Sequence, residues 1–267
     1  MQPKMKLMPA DRPKILTIFI VLIFLTTLPG CAFMDSTMNY LGIGSGKSIP
    51  DTPDSLALKA LDNYNHGDYS KALKVFNDIM DRFPFSKAGL LAELKSADCQ
   101  YYLGKYPDAI SQYNDFANNH PTNEAIPYVI FQVGMSYYKQ IDTIDRDPGA
   151  AKNAVDSFTR LIKSYPHSAY VQEARARRLA ALNFLANHEF YVASFYVRTN
   201  HLREAKGRYL YLIKHYPEAS VSAKARKILA AIAAGHPPKR TWRDWLPDLS
   251  LPDWHTFSNL NPGGGTD

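Results

Sequence analysis

Four stretches of the chain repeat one pattern of small and apolar positions. Ala72, Phe76, Ile79 and Pro84 make the first, and Ala109, Tyr113, Phe116 and Pro121 the second. Ala154, Phe158, Leu161 and Pro166 make the third, and Ala205, Tyr209, Leu212 and Pro217 the fourth. Offsets of four and three put Ala, ring and aliphatic on one face of a helix. Ala lets a neighbouring helix come close, and the ring and aliphatic fill the space beside it. Pro cannot continue a helix and restricts the residue before it, so it closes each unit. The segments upstream repeat as well. Ala60, Tyr64, Gly67 and Tyr69 recur 37 residues later as Ala97, Tyr101, Gly104 and Tyr106, and Gly134 and Tyr138 follow after a further 37. "GDYSKAL" (67–73) and "GKYPDAI" (104–110) then read as tight turns between paired helices.

The order small residue, Tyr, turn, Ala, aromatic, Pro is similar to the tetratricopeptide repeat. It predicts an all-α fold, a tetratricopeptide-repeat solenoid of about five helix pairs in a right-handed superhelix with a concave face. After Pro121 the spacing loosens. The excess in the third unit lies in an acidic loop, "QIDTIDRDPGA" (140–150). The 51 residues from Pro166 to Pro217 leave room for an extra helix. The pattern gives ten helices, at about 54–66, 69–82, 86–103, 106–119, 123–140, 149–164, 168–186, 188–199, 202–215 and 219–234.

The ends of the chain have a different character. Lys4, Lys6, Arg12 and Lys14 precede "ILTIFIVLIFLTTL" (15–28), which holds eleven apolar residues and three Thr. That run is short for a transmembrane helix, which needs about 20 apolar residues. A basic start, a short apolar run and a small-residue exit make a secretory signal peptide, here 1–30. "LPGC" (28–31) resembles the lipobox of bacterial lipoproteins, which implies cleavage before Cys31, S-diacylglycerol on its thiol and an N-palmitoyl group on its new amine. Several acyl chains hold a protein firmly where one holds it marginally. Ala32 stands where an Asp tends to retain Gram-negative lipoproteins at the inner membrane, so the expected destination is the outer membrane, facing the periplasm.

Residues 31–53 are rich in Gly, Ser, Asp, Asn and Pro and read as a flexible tether. They contain "GIGSGKS" (42–48), which ends like a phosphate-binding loop, G-x-x-x-x-G-K-[ST]. The first glycine of such a loop would fall at Leu41, no strand precedes it, and ATP is not expected in that compartment. Residues 54–234 form the repeat domain. The segment 235–267, rich in Pro and carrying all three Trp, reads as a disordered tail or as a linear docking motif through Trp242, Trp245, Leu246, Leu249 and Leu251.

Composition narrows the function. The chain carries a net charge of +6, and about half of that lies in the signal segment, so a nucleic-acid partner is not expected. Of two cysteines one is the lipid site, so the fold rests on no internal disulfide, and Cys99 reads as a small core residue. No two of the eight His have the helical spacing of a metal pair, no G-x-S-x-G elbow is present, and nothing calls for a cofactor. Repeat-position Tyr rings read as core, with Tyr102 and Tyr137 as candidates to line the groove. "RARR" (175–178) reads as a solvated helix face.

Lipobox plus helix pairs resembles the BamD family (older name ComL), lipoproteins of the β-barrel assembly machinery. The stretches that carry the resemblance are "RFPFSKAG" (82–89), "HPTNEAIPYVIFQVGMSYY" (120–138), "DRDPGAAKNAVDSFTRLIKSYPHSAY" (145–170) and "LANHEFYVASFYV" (185–197). The resemblance implies a non-enzymatic scaffold. It implies that the C-terminal pairs bind the periplasmic domains of a barrel-forming subunit, that other lipoproteins of the machinery are partners too, and that the N-terminal pairs receive unfolded outer-membrane proteins. Membrane contact comes through the lipid alone. Asp145, Arg146, Asp147 and Arg198 join Tyr102 and Tyr137 as partner-binding candidates. Family members carry a basic residue and then Arg-Gly after "FYV"; this chain has Arg198-Thr199-Asn200, so Arg198 is the residue that could replace the turn Arg. The competing expectation is a periplasmic repeat adaptor for peptidoglycan remodelling or division.

Overall fold

The computed structural model describes residues 51–238. The expectations for the signal segment, Cys31, "GIGSGKS" and 239–267 lie outside the described residues. The chain divides into two compact units, Met1–Ser55 and Leu56–Asp267. Of the first, only the opening of a helix is described. There the Ser55 N–H donates to Thr52 Oγ1 (3.2 Å) and the Thr52 N–H to Ser55 Oγ (3.1 Å), a reciprocal cap with Pro53 at the first helical position.

The described residues hold nine helices and no strand. They are α1 Pro53–Asn65, α2 Tyr69–Arg82, α3 Lys87–Tyr102, α4 Tyr106–Asn119, α5 Ile126–Lys139, α6 Gly149–Ser164, α7 Val171–Arg198, α8 Leu202–His215 and α9 Ser220–Ala233. From α2 onward each helix packs on the next in sequence, with α7 also touching α5 and α9. This is the nearest-neighbour stacking of a helical repeat.

The small positions hold the pairs together. Ala60, Ala97 and Ala193 on the first helix of a pair share a core with Ala72, Ala109 and Ala205 on the second, and all six are fully buried. In the third pair Gly134 takes the place of Ala97, because a Cβ there would lie 2.6 Å from Cε1 of the buried Phe158 ring. The following rings, Phe76, Tyr113, Phe158 and Tyr209, are buried completely.

Each repeat proline acts as expected. Phe83, His120, Tyr165 and Tyr216 precede Pro, and all four leave the helical region in nearly the same way, with φ of −138°, −129°, −135° and −131°. The turns within pairs also share one geometry. Gly67 and Gly104 have φ of +79° and +74°, and Asn200 has φ of +63°. Around each, the residue itself donates to the carbonyl three back and the next N–H donates to the carbonyl five back: Asp68 to Asn63 (2.9 Å), Lys105 to Gln100 (2.9 Å) and His201 to Tyr196 (2.8 Å). These are Schellman motifs, whose left-handed residue is commonly Gly and sometimes Asn.

The helix count departs from the sequence reading in one place. The expected helices 168–186 and 188–199 are a single 28-residue helix, α7. Nothing between Val171 and Arg198 breaks it, since that span holds neither Pro nor Gly. Asn187 does not cap a break; its Nδ2 donates along the helix to the Asn183 carbonyl (2.8 Å). At ~1.5 Å per residue α7 is about 42 Å long, enough to serve two units in succession. Ala174 and Ala181 lie in the core of the third pair, Phe184 and Leu185 in a small core with Ala151, and Ala186 and Ala193 in the core of α8 and α9.

Two glycines on helices separate backbone preference from packing. Gly134→Ala should lower stability by about 1–2 kcal/mol, because Phe158 cannot retreat and overpacking outweighs the better helix propensity. Gly207→Ala in α8 meets nothing within 4 Å. It should raise stability by about 0.5–1 kcal/mol. Urea midpoints of the two variants should move in opposite directions.

Candidate functional site

Tyrosines gather where the turns of the first two pairs adjoin. Tyr102 at the end of α3 stacks on Tyr69 of α2 with ring centroids 4.6 Å apart. Tyr64 of α1 meets both edge-on, at 6.0 and 5.4 Å. Tyr101 continues the row, 5.4 Å from Tyr102 and 5.6 Å from Tyr106 of α4. The repeat makes this row, since Tyr64/Tyr101 and Tyr69/Tyr106 are the same positions 37 residues apart. Tyr102 is about half exposed (50 %), so the row offers a ring edge and face to the outside.

Beneath the row lies a buried carboxylate. Asp98 on α3 is fully buried. Its Oδ1 accepts from the Tyr113 hydroxyl (2.5 Å) and the Tyr128 hydroxyl (2.8 Å), and its Oδ2 from Lys95 Nζ (2.8 Å). Gln132 Nε2 donates to the Tyr128 oxygen (3.0 Å). The Lys95 ammonium sits 4.6 Å above the Tyr64 ring, which ties the network to the tyrosine row. Burial, with the Asp98 charge adding, holds the phenols of Tyr64, Tyr113 and Tyr128 well above their usual range. Burial likewise pushes the Cys99 thiol up to about 12, with Asp98 adding and Lys95 opposing. Cys99 is therefore a core residue, as its place beside Ala97 indicated.

The candidates from sequence reasoning do not form one cluster. Tyr102 belongs to the row. Tyr137 instead packs half-buried against the core that holds α5 and α6. Asp145, Arg146 and Asp147 stand exposed on the loop between α5 and α6. Arg146 pairs with Asp142, and Asp147 Oδ1 accepts from the Gly149 N–H (3.1 Å) at the start of α6. The loop is pinned from below: Ile144 packs with Phe184 and Leu185, and its carbonyl accepts from His188 Nδ1 (2.7 Å) on α7. Arg198 closes α7 half-buried, its guanidinium 6.0 Å from the Tyr191 ring. The RARR segment is only partly a solvated face. Arg175 is exposed, but Arg177 is 7 % exposed, pairs with Glu173 (2.8 Å) and lies 5.5 Å from the Tyr138 ring. It turns inward because Tyr138 and Glu173 give its plane and its charge a partner each.

Charge is unevenly spread. Residues 51–170 carry 12 Lys or Arg against 15 Asp or Glu, while 171–238 carry 11 against 4. Arg175, Lys206, Lys214, Lys224, Arg226 and Lys227 all lie exposed on that basic part. Among the described residues no group of His, Cys, Asp and Glu could hold a metal ion, and no helix is long and apolar enough to cross a membrane.

A stack of helical repeats with an aromatic edge at one end and a basic surface at the other is a binding scaffold in form. Residues 51–235, which coincide with the helix stack, match the YfiO family of outer membrane lipoproteins, and the chain belongs to that family, the BamD family. An outer membrane protein assembly factor BamD from Xylella fastidiosa is 25 % identical over 230 residues, covering 74 % of this chain and 76 % of the relative. Another from Vibrio cholerae is 29 % identical over 194 residues, covering 67 % and 79 %. A thermophilic TPR protein of known structure from Thermus thermophilus overlaps with a TM-score of 0.37 at 18 % identity, over 68 % of this chain and 100 % of that one.

Asp98→Ala should lower stability by about 2–4 kcal/mol, because two buried hydroxyls and an ammonium lose their acceptor. A loss below ~1 kcal/mol in urea unfolding would mean that water or another group satisfies them.

Alkali should also unfold the protein. Burial raises the thiol of Cys99 and the phenols of Tyr101 and Tyr216 to about 12, against ordinary values of 9.0 and 10.0. Between those limits the unfolded chain releases protons that the folded chain keeps, so stability falls as pH rises. The urea midpoint should decline steadily from about pH 9 upward; a flat midpoint to about pH 11 would contradict the burial of these groups.

Proposed function

We propose that the protein is a lipid-anchored, non-catalytic scaffold of the machinery that assembles β-barrel proteins in the outer membrane. The observation that carries this is the coincidence of the family match, 51–235, with the whole helix stack, together with relatives named as assembly factors for outer membrane proteins. The division of the surface supports a division of labour. The tyrosine row around Tyr102 offers stacking faces and hydroxyls to an extended, aromatic-containing strand of an unfolded barrel protein before that strand finds its neighbours. The basic part, with Arg198 at its α7–α8 turn, faces a partner subunit of complementary charge, here the periplasmic region of the barrel-forming subunit. The Asp142–Arg146 loop is a third, rigidly held contact. Cys31 carries the acyl chains, and the tether lets the stack reach its partners while the anchor raises their local concentration.

Depletion of the protein tests the reading. Folded barrel proteins in the outer membrane, scored by their heat-modifiable mobility on gels, should fall together. Normal barrel levels with altered peptidoglycan cross-linking would favour an envelope-remodelling adaptor instead. Cys31→Ala should in addition block acylation and leave the protein outside the outer-membrane fraction; an acylated, outer-membrane-held Cys31→Ala protein would refute the anchor.

A further inference from the structure

The change of cores along α7 leaves one row of its side chains outside both. Ala174 and Ala181 lie in the core of the third pair, and Ala186 and Ala193 in that of α8 and α9. Each step of four residues turns about 40° around the helix, so a row of every fourth residue moves round it as the core does. Arg175, Leu179, Asn183, Asn187, Tyr191 and Phe195 form that row. The two Asn are half-buried and the other four are exposed.

The polar members of the row have capacity left over. Among the described residues Arg175 pairs with no carboxylate and the Asn183 carboxamide makes no hydrogen bond. Asn187 gives one N–H to the Asn183 carbonyl (2.8 Å), which holds its carboxamide in place and leaves the other N–H and Oδ1 for a partner.

The spacing of the row matches an extended polypeptide. Four residues rise about 6.0 Å, and such a row slopes about 26° to the axis, so its steps are about 6.7 Å. In an extended chain the N–H and C=O of one residue share an edge and those of the next residue take the other edge. One edge therefore repeats every two residues, about 6.6 Å. A carboxamide carries a donor and an acceptor side by side, the complement of that edge. Asn183 and Asn187 can thus pair with two alternate residues of one segment through its backbone alone. Leu179 and Tyr191, one step further out at either end, offer apolar surface to its side chains, and Arg175 offers charge to a carboxylate beyond Leu179. From Leu179 to Tyr191 the row winds by about 120°. A lone chain bends along such a path more readily than a strand held on both edges by a sheet.

We propose that this row is a second seat for an unfolded strand, read through its backbone by Asn183 and Asn187 and oriented by a carboxylate at Arg175. The proposal rests on the reading above that the protein receives unfolded strands of barrel proteins. It adds a contact on α7 that tolerates many sequences, because every strand offers the same backbone edge.

The probe is a short fluorescent peptide with Leu or Phe alternating with Ser or Thr, an Asp at one end and both termini blocked. Its anisotropy is measured against the full mature chain in the Cys31→Ala form, which needs no detergent, and against the same chain carrying Tyr102→Ala, which separates the tyrosine row. In both, Asn183→Ala with Asn187→Ala should weaken binding about tenfold or more, with helical circular dichroism unchanged. Arg175→Ala should weaken binding of this peptide several-fold and leave that of its Asn-ended form unchanged. Two further peptides carry N-methyl groups on alternate amides, one on each edge. One of the two should lose as much affinity for the parent chain as the double variant does, and neither should lose more on the double variant. Four results would overturn the seat: no binding by the parent chain, binding abolished by Tyr102→Ala alone, equal affinity in the Asn183/Asn187 double variant, or indifference to N-methylation on both edges. None of them touches the scaffold reading, which stands or falls with barrel levels on depletion.

Discussion

A pair of small residues, one on each of two facing helices, is the constraint on which this stack rests. Ala60 with Ala72, Ala97 with Ala109 and Ala193 with Ala205 remove side-chain bulk at the point where two backbones approach, and Gly134 removes it altogether where Phe158 needs the room. Once that approach is fixed, the ring and aliphatic that follow have one place to go, so Phe76, Tyr113, Phe158 and Tyr209 bury fully. The turns follow too. Two helices this close need a short reversal, and a left-handed residue with two bonds back to the helix end supplies one.

Much of this was legible because the repeat states it four times over. Small, ring, aliphatic and Pro recur at fixed offsets, and the Gly-containing turns at Gly67 and Gly104 recur at 37 residues. What failed was illegible for the opposite reason. The stretch from Pro166 to Pro217 departs from the period, and nothing in Ala186-Asn187-His188 says whether the helix stops or runs on. It runs on because side chains from elsewhere, Ile144 beneath and Ala205 beyond, find continuous partners along it. Asn200 stands where the other two turns have Gly, yet the turn keeps the same geometry.

The candidate surface divides in the same way. Tyr102 was visible as an odd ring beside a repeat ring, and the structure sets it in a row of five. Tyr137, just before the repeat ring Tyr138, gave a similar signal but is taken up by its own core. Asp98 gave none: one acid among polar helix residues looks solvated until Tyr113 and Tyr128, 15 and 30 residues away, aim their hydroxyls at it. Arg177 was likewise misjudged from its neighbours in sequence. Buried polar groups depend on partners that the local pattern does not encode, and they fix geometry more than they add stability. Here that geometry holds α3, α4 and α5 under the tyrosine row.

The 28-residue helix sets the order in which the chain can take shape. Before it, the main contacts join helices adjacent in sequence, so each pair can close as soon as its own residues are free to do so, and such local topologies fold fast. The first pair has a core of its own with one face of α3, while the second and third share one core that the first half of α7 completes. α7 breaks that rhythm, because its two ends belong to different cores and neither half is complete without the other's continuity. The aromatic end can be whole while the basic end is still a bare helix face. The last unit then closes in one step that joins the two, so the sequence of assembly is written into a single uninterrupted rod.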